Sequence, residues 1–203
     1  MSRHNRLFTL LAGTTNQHKL GEIKHYLDGL PITLKSLNDF SALPEIIENG
    51  RNFADNARKK ARGYFEYFHI PTFADDSGLI VPALNGEPGV RSARYAGPDA
   101  TYEQNNRFLM QKIAAVDPKE REAQFVCTIC YKDEEREMLF TGTVTGMILT
   151  ELRGTSGFGY DPLFYLPELG KTYAEISMAQ KNDLSHRGQA LEKFKKFLEN
   201  NIL

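Results

Sequence analysis

The sequence predicts an α/β fold in a single domain. Its 203 residues are enough for one core, alone or with a small lobe, and 41% hydrophobic with 25% charged residues is ordinary for a globular protein. An apolar run at residues 7–12 precedes Gly13 and a helix-periodic segment at 17–27, which predicts a strand, loop and helix unit. Residues 124–131 and 138–149 have strand composition and flank a charged turn, which predicts an antiparallel pair.

Three further helices are predicted along the chain. Residues 50–68 carry apolar side chains at helical spacing, and Asn56 and Lys60 share the face that borders this stripe. Thr101 and Gln104 form a possible capping box before a helix that ends at residues 117–118. Ser185 can cap a C-terminal helix.

Composition excludes several functional classes. With 25 basic and 26 acidic residues the net charge is -1, which argues against a general nucleic-acid or membrane surface, so a polyanion would have to be bound locally. The apolar stretch near the N-terminus is too short for a signal peptide or a bilayer span, which predicts a cytoplasmic location. Cys127 and Cys130 lie three apart in a predicted strand, so we expect buried free thiols rather than a zinc or redox site.

The densest functional signal lies in residues 73–97, which contain two adjacent carboxylates, four glycines and two arginines. Asp75 and Asp76 directly follow an apolar run, so we expect them where a strand leaves the sheet, which is where α/β folds bind ligands. Adjacent carboxylates repel each other unless a cation or hydrogen-bond donors compensate, and this favours a Mg2+ site. The alternative is a solvated Asp-Asp-Ser-Gly turn.

The loop after the first strand is a candidate phosphate site. Thr15 or Asn16 can cap the following helix, whose free N–H groups would then face a ligand. Lys19 in the first turn is unfavourable for the helix dipole, so a nearby anion accounts for its position better than helix stability does. A solvent-exposed lysine is the alternative. The loop is not a Walker A motif, because the second glycine is missing and Leu20 replaces Ser or Thr.

Two further clusters suit a nucleobase. The glycine-rich loop 154–161 offers aromatic rings for stacking and Asp161 as an acceptor, although an aromatic corner packed in the core is the alternative. His186 and Arg187 supply donors, and a donor-rich site prefers a 6-oxo purine to adenine. Leaving a buried donor unpaired costs about 1–3 kcal/mol, which is enough for discrimination. The alternative is a His-Arg pair at the surface.

Five sequence blocks in this order resemble the inosine triphosphate pyrophosphatase family over nearly the whole chain. They are TTNQHK from Thr14, FxxNAxxKA from Phe53, ADDSGLIVPALNGEPGVRSARYAG from Ala74, GFGYDPLF from Gly157 and SHRGQAL from Ser185. The resemblance implies a long, bent mixed β-sheet flanked by helices, with two lobes and a central substrate cleft in one domain spanning residues 1–203. It also implies a homodimer that hydrolyses ITP, dITP and XTP to the monophosphate and pyrophosphate, which removes them from the nucleotide pool.

The resemblance also implies roles for individual residues. By this resemblance Asp76 is expected to be the general base and a ligand of Mg2+, and Glu48 and Asp75 are expected to assist at the metal. Mn2+ is a possible substitute for Mg2+. Lys60 and Ser77 are expected close to the phosphates. The expected triphosphate loop comprises Thr14, Thr15, Asn16, Gln17, His18 and Lys19. The expected nucleotide-binding set comprises Phe158, Gly159, Tyr160, Asp161, Lys181, His186 and Arg187, the last as the reader of the 6-oxo group.

Two rival functions stay open at this point. A phosphatase releasing single phosphates would use the same metal and lysines, but its products would be a diphosphate and orthophosphate. A nucleotide sensor would bind without turnover, because a site alone does not establish a rate. The adjacent carboxylates favour an enzyme.

Overall fold

The computed structural model describes residues 7–203, in which strands and helices alternate as far as residue 132 and are followed by three further strands and then two helices. The strands are β1 (Phe8–Ala12), β2 (Ile32–Ser36), β3 (Thr72–Ile80), β4 (Glu122–Lys132), β5 (Glu137–Ile148), β6 (Phe164–Leu166) and β7 (Lys171–Thr172). The helices are α1 (Gln17–Leu27), α2 (Phe53–Phe68), α3 (Tyr102–Ile113), α4 (Met178–Leu184) and α5 (His186–Asn201). Within the described residues no helix is long and apolar enough to cross a membrane. Residues 1–6 of the N-terminal segment lie outside the described residues.

The strands form one seven-stranded sheet in the order β2-β1-β3-β4-β5-β6-β7. The sheet is mixed, because β1 pairs in parallel with β2 and β3, whereas β6 pairs antiparallel with β5 and β7. This confirms the predicted α/β class and the mixed sheet flanked by helices. The predicted cleft between two lobes, and the single two-lobed domain over residues 1–203, stay predictions.

The chain divides into two compact units. The first contains the residues up to Asp76 together with Thr128–Phe140 and Ala190–Leu203, and the second contains Ser77–Cys127 and Thr141–Gln189. The division therefore falls within β3, between two consecutive residues.

The core of the first unit is built from apolar residues on strands and helices. Three consecutive residues of β1, Leu10 to Ala12, are fully buried, as a central strand of a parallel pairing requires. Phe194 of α5 is also fully buried, and its ring lies 4.8 Å from that of Phe73 and 5.5 Å from that of Phe140. On α2, the small residues Ala57 and Ala61 pack with residues 74 and 130.

The core of the second unit is largely aromatic. The Phe125 ring lies 4.6 Å from Phe164, which in turn lies 5.0 Å from Tyr173. Tyr160 and Tyr95 belong to the same buried cluster. Both cysteines are buried, as expected from their spacing, and neither forms a disulfide within the described residues.

Helix starts follow the side chains that cap them. Thr101 and Gln104 form the predicted capping box, and Ser185 accepts a hydrogen bond from the Gly188 N–H at 3.0 Å. The predicted start of α2 at residue 50 is wrong by three residues, because Asn52 caps the helix by accepting from the Asp55 N–H at 2.8 Å. His186 and Arg187 are the first two residues of α5.

Candidate functional site

The adjacent carboxylates lie inside β3 and not at its end. The strand runs from Thr72 to Ile80, so both the predicted strand exit and the alternative of a solvated turn are wrong. The reason is the partner strand: β1 pairs with β3 only as far as Ala12 opposite Phe73, and the chain then leaves at Gly13. Asp75 and Asp76 therefore lie beyond the end of β1, on a strand that continues without it.

Asp75 is paired with the lysine from the first turn of α1. The Lys19 ammonium lies 2.9 Å from Asp75 Oδ2, and this carboxylate is 5% exposed. The sequence argument required an anion near Lys19, and the chain itself supplies one. An ion pair at this depth is screened by solvent far less than a surface pair.

Asp76 lies between an amide and a second lysine, both from α2. Asn56 donates from Nδ2 to Asp76 Oδ2 at 3.0 Å, and its own Oδ1 accepts from the Gly50 N–H at 2.7 Å. The Lys60 ammonium lies 3.8 Å from Asp76 Oδ1 and 2.9 Å from Glu48 Oε2. Residues 56 and 60 are one helical turn apart, so the predicted shared face of α2 is the face that contacts Asp76.

The pKa values in this cluster are shifted in informative directions. Burial is the largest influence on Asp76 and raises its pKa, against the opposing effects of Lys60, Asn56 and Lys19. For Lys60, burial alone would lower the pKa, but the charges of Asp76, Asp75 and Glu48 outweigh it and raise the pKa. Asp76 is therefore a stronger proton acceptor than an ordinary aspartate, whereas Lys60 stays protonated.

The predicted metal ligands Glu48, Asp75 and Asp76 are held by ammonium groups. In residues 7–203 no three His, Cys, Asp or Glu side chains are grouped closely enough to hold an ion by themselves. Mg2+ in phosphate-processing sites is usually held by one or two carboxylates, with waters and substrate oxygens completing the shell. Glu48, Asp75 and Asp76 carry three negative charges against two from Lys19 and Lys60, so this donor set fits such a cation.

The predicted triphosphate loop is ordered by its own polar groups. Asn16 caps α1 by accepting from the N–H groups of His18 at 3.0 Å and Lys19 at 3.2 Å. Thr14 Oγ1 accepts from the Asn16 N–H, and the Thr15 carbonyl accepts from Asn38 Nδ2. Thr15, Gln17 and His18 are exposed. The loop precedes a helix N-terminus, where backbone donors and the helix dipole favour anions.

A second set of predicted residues is assembled in the other unit. The Lys181 ammonium lies 2.6 Å from Asp161 Oδ2, and the two side chains are 3% and 4% exposed. The same carboxylate oxygen accepts from the Phe158 N–H at 2.7 Å. Lys181 Nζ also lies 4.5 Å from the centre of the Phe158 ring, within the range of a cation–π contact. Gly157 has a φ of +76° and leaves no room for a Cβ beside Asp161, so glycine is required there.

Arg187 and Ser77 form the next contact in this set. Arg187 donates to Ser77 Oγ at 2.8 Å, and its guanidinium lies 5.7 Å from the Phe158 ring centre. Ser77 is thus a partner of the predicted base reader. The neighbouring His186 ring stacks on Phe125, with centroids 4.6 Å apart and planes 7° apart.

Tyr160 belongs to the hydrophobic core, unlike Phe158 of the same loop. Its ring is buried in the aromatic core, and its hydroxyl donates to the Ser92 carbonyl at 2.8 Å. For this residue the core alternative is the correct one, and its ring is not available for stacking on a base. The ring that the loop offers is that of Phe158.

Two hydrogen bonds in these sets of residues were not predicted from the sequence. Asn56 was noted for its position on the helix face, but its bond to Asp76 is formed by the fold. The Arg187–Ser77 bond joins residues 110 positions apart, for which the sequence has no local signal. The one sequence signal for these contacts was the family resemblance, because the same five blocks include both FxxNAxxKA and the Asp-Asp segment.

A scan against protein families matches residues 10–197 to the model described as the Ham1 family. The chain belongs to the Ham1 family. This match covers most of the chain, and curated relatives agree with it. The dITP/XTP pyrophosphatase of Geobacter sulfurreducens is 49% identical over 191 residues, which is 93% of this chain and 96% of the relative. The dITP/XTP pyrophosphatase of Desulfotalea psychrophila is 47% identical over 92% of this chain and 83% of the relative.

Solved structures of the family have the same fold. A HAM1 protein from Coxiella burnetii matches with a TM-score of 0.88 and 38% identity, over 95% of this chain and 98% of that one. The Ham1 protein of Staphylococcus aureus matches with a TM-score of 0.86 and 37% identity, over 94% of this chain and 98% of that one. Together with the curated relatives, these matches confirm the resemblance to the pyrophosphatase family that the five blocks indicated.

Proposed function

We propose that this chain is a nucleoside triphosphate pyrophosphohydrolase that acts on non-standard purine nucleotides. Its substrates are ITP, dITP and XTP, its products are the monophosphate and pyrophosphate, and its effect is to remove these nucleotides from the pool. The observation that carries the proposal is the extended identity to curated dITP/XTP pyrophosphatases, at 49% over nearly the full length of both chains. The polar clusters of the two units supply groups suited to each part of such a substrate.

The triphosphate is assigned to the first unit. Lys19 and Lys60 are charged groups on α1 and α2, and the loop 14–19 leads into the N-terminus of α1. Ammonium groups and backbone donors held in place before the substrate arrives stabilise the charge that develops on phosphoryl oxygens without further reorganisation.

Asp76 is assigned as the general base. A water molecule attacks the α-phosphorus, Asp76 accepts the proton from that water, and the bond from the α-phosphorus to the bridging oxygen breaks as pyrophosphate leaves. The raised pKa of Asp76 suits this role, because a general base works best when its pKa approaches the working pH. The Asn56 amide fixes Oδ2 of Asp76.

A divalent cation, Mg2+ with Mn2+ as a possible substitute, is assigned to Glu48 and Asp76, with Asp75 in support. When bound, such a cation supplies charge neutralisation on the phosphates and lowers the pKa of water. Asp75 also holds Lys19 in place by their ion pair.

The purine is assigned to the second unit. Phe158 supplies a ring for stacking and Arg187 supplies donors for a 6-oxo group, while Lys181 and Asp161 hold the loop. Adenine presents a donor at this position, so it would leave the guanidinium donors unpaired. Ser77 orients Arg187 through its hydroxyl. The homodimer implied by the resemblance and the cytoplasmic location predicted from the N-terminal sequence belong to the same proposal.

The test is to identify the products formed from ITP and from ATP. Purified protein is incubated with Mg2+ and either nucleotide, the nucleotide products are separated, and pyrophosphate and orthophosphate are assayed independently. We expect IMP and pyrophosphate from ITP, with ATP nearly untouched. IDP with orthophosphate would make the chain a phosphatase, and tight ITP binding without turnover would make it a sensor.

A further inference from the structure

The motif GVRSARYAG at residues 89–97 has no role in the mechanism above, yet it contacts the glycine-rich loop at residues 154–161, which carries Phe158 and is called the base loop below. A short 3-10 helix spans Gly89–Arg94, and its Ser92 is buried. Ser92 Oγ accepts from the Leu79 N–H of β3 at 2.9 Å and donates to the Gly89 carbonyl at 2.6 Å. One side chain therefore fixes the segment to the strand that carries Ser77.

Two hydrogen bonds connect the base loop to this scaffold. The Tyr160 hydroxyl donates to the Ser92 carbonyl at 2.8 Å, and Asn106 on α3 donates from Nδ2 to the Gly159 carbonyl at 2.9 Å. Burial raises the pKa of Tyr160, so its hydroxyl stays protonated and remains a donor. Gly159 and Tyr160, the two residues that follow Phe158, are thus each bonded to this scaffold.

The helix that holds the loop also holds the motif. Asn105 accepts from the Ala96 N–H at 2.8 Å and donates to the Ala93 carbonyl at 3.1 Å. Consecutive asparagines of α3 therefore contact residues 89–97 on one side and the base loop on the other. The loop, the motif and α3 form one connected hydrogen-bond network within the second unit.

Asn106 is a poor choice for stability alone. Its side chain is 6% exposed, and within residues 7–203 its Oδ1 atom is buried with no hydrogen-bond partner. A buried acceptor without a partner destabilises a fold, and an apolar residue of similar shape would avoid this cost. What the amide provides is the single bond to Gly159, a residue with φ of +63° next to Phe158.

We propose that Asn106, Ser92 and Tyr160 are positioning residues for base recognition, which set the place of Phe158 relative to Arg187 without touching the nucleotide. This inference rests on the proposed function, since it takes Phe158 and Arg187 as the base-binding groups. The network gives residues 89–97, Asn105 and Asn106 a shared role, which is to hold the base loop in place. Loosening it weakens nucleotide binding and base preference, while the hydrolytic groups of the first unit stay as they are.

The test compares Tyr160→Phe and Asn106→Ala with the matched control Tyr131→Phe. Tyr131 is also buried, and its hydroxyl donates to Asp133 Oδ2 at the same distance of 2.8 Å, but it lies in the first unit, and its contacts with Phe194, Phe197 and Asp133 involve no predicted site residue. The dissociation constant for IMP is measured by calorimetry without metal. KM and kcat for ITP and ATP, and the melting temperature, are measured on the same preparations.

We expect each loop variant to raise the IMP dissociation constant and the KM for ITP by about twofold to tenfold, the range for one lost hydrogen bond. We also expect kcat to stay within about twofold and the preference for ITP over ATP to fall. Tyr131→Phe should lower the melting temperature at least as much as the loop variants do, because the hydrogen bond that it removes has a carboxylate as its acceptor. It should leave the IMP dissociation constant, KM, kcat and the preference for ITP unchanged. If Asn106→Ala does not fold, Tyr160→Phe, which removes one oxygen, decides.

Two results would overturn the inference. Loop variants that lose thermal stability as the control does, but keep IMP affinity, KM and base preference, would make the network purely structural. A wild-type protein that neither hydrolyses ITP nor binds IMP would remove both the inference and the proposed function. Wild-type binding of IMP without release of pyrophosphate, weakened by the loop variants, would uphold the positioning role and overturn only the proposed function.

Discussion

Removing one partner of the Lys181–Asp161 pair should destabilise the protein strongly. The two charged atoms are 2.6 Å apart and the side chains are only 3% and 4% exposed, so neither charge reaches solvent. Asp161→Asn removes the carboxylate charge from beside the buried Lys181 ammonium, and Lys181→Met removes the ammonium from beside the buried Asp161 carboxylate, which keeps its bond from the Phe158 N–H. Breaking a buried pair in this way costs about 3–5 kcal/mol.

That cost translates into a measurable change in unfolding. For a chain of 203 residues, we expect the melting temperature to fall by about 6–20 °C, from about 2–4 °C per kcal/mol. Urea denaturation gives the free energy of unfolding for both single variants and for the double variant Asp161→Asn/Lys181→Met. The double variant should lose less than the sum of the singles, because it leaves no unpaired charge.

This reasoning would be refuted if the single variants lost little unfolding free energy and their losses simply added in the double variant. If each single variant lost less than about 1 kcal/mol and the double variant equalled their sum, the pair would behave as an exposed salt bridge. The burial on which the argument depends would then not describe the protein in solution. Asn182→Ala, at the adjacent position of α4, controls for the effect of altering a buried residue of that helix.

Three further outcomes are expected. Asp76→Asn should abolish most pyrophosphate release and yet raise the free energy of unfolding at pH 7 without metal. Burial raises the pKa of Asp76 in the folded protein above its ordinary value of 3.8, so the stability that the protonated carboxyl contributes is lost as the pH rises through the folded pKa. The advantage of the variant should therefore vanish once the pH falls below 3.8. Equal stability of variant and wild type at pH 7 would contradict this. Arg187→Ala should narrow the gap in kcat/KM between ITP and ATP, whereas an equal loss on both would make Arg187 a general binding residue. The Cys130 thiol should resist a thiol reagent at pH 8 until the protein unfolds, because burial raises its pKa to about 12, and rapid native labelling would disprove the burial.

The features predicted best from sequence are those with local causes. Helix α1 matches its predicted span of residues 17–27, and the Thr101–Gln104 box caps α3, because a cap and an apolar period act within a few residues. The burial of both cysteines follows from the same kind of pattern. The resemblance supplied the family, since five blocks in order are far more specific than any single one.

The features that were missed depend on distant partners. Asp75 and Asp76 were expected after a strand, but β3 continues through them because the sheet extends beyond the end of β1. The core position of Tyr160 depends on the carbonyl of Ser92, which lies 68 residues earlier.

The ion pairs of the first unit have a consequence for how an anion enters. Lys19 is already bonded to Asp75, and Lys60 to Glu48. A phosphate that binds these ammonium groups replaces or shares an existing carboxylate partner, so the step is an exchange of counter-ions within the protein. Such an exchange displaces fewer dissolved ions than the capture of a phosphate by two bare lysines would, and its affinity depends correspondingly less on ionic strength. The carboxylates keep the ammonium groups oriented while no substrate is bound, and in the proposed reaction the same carboxylates bind the cation once phosphate takes their place.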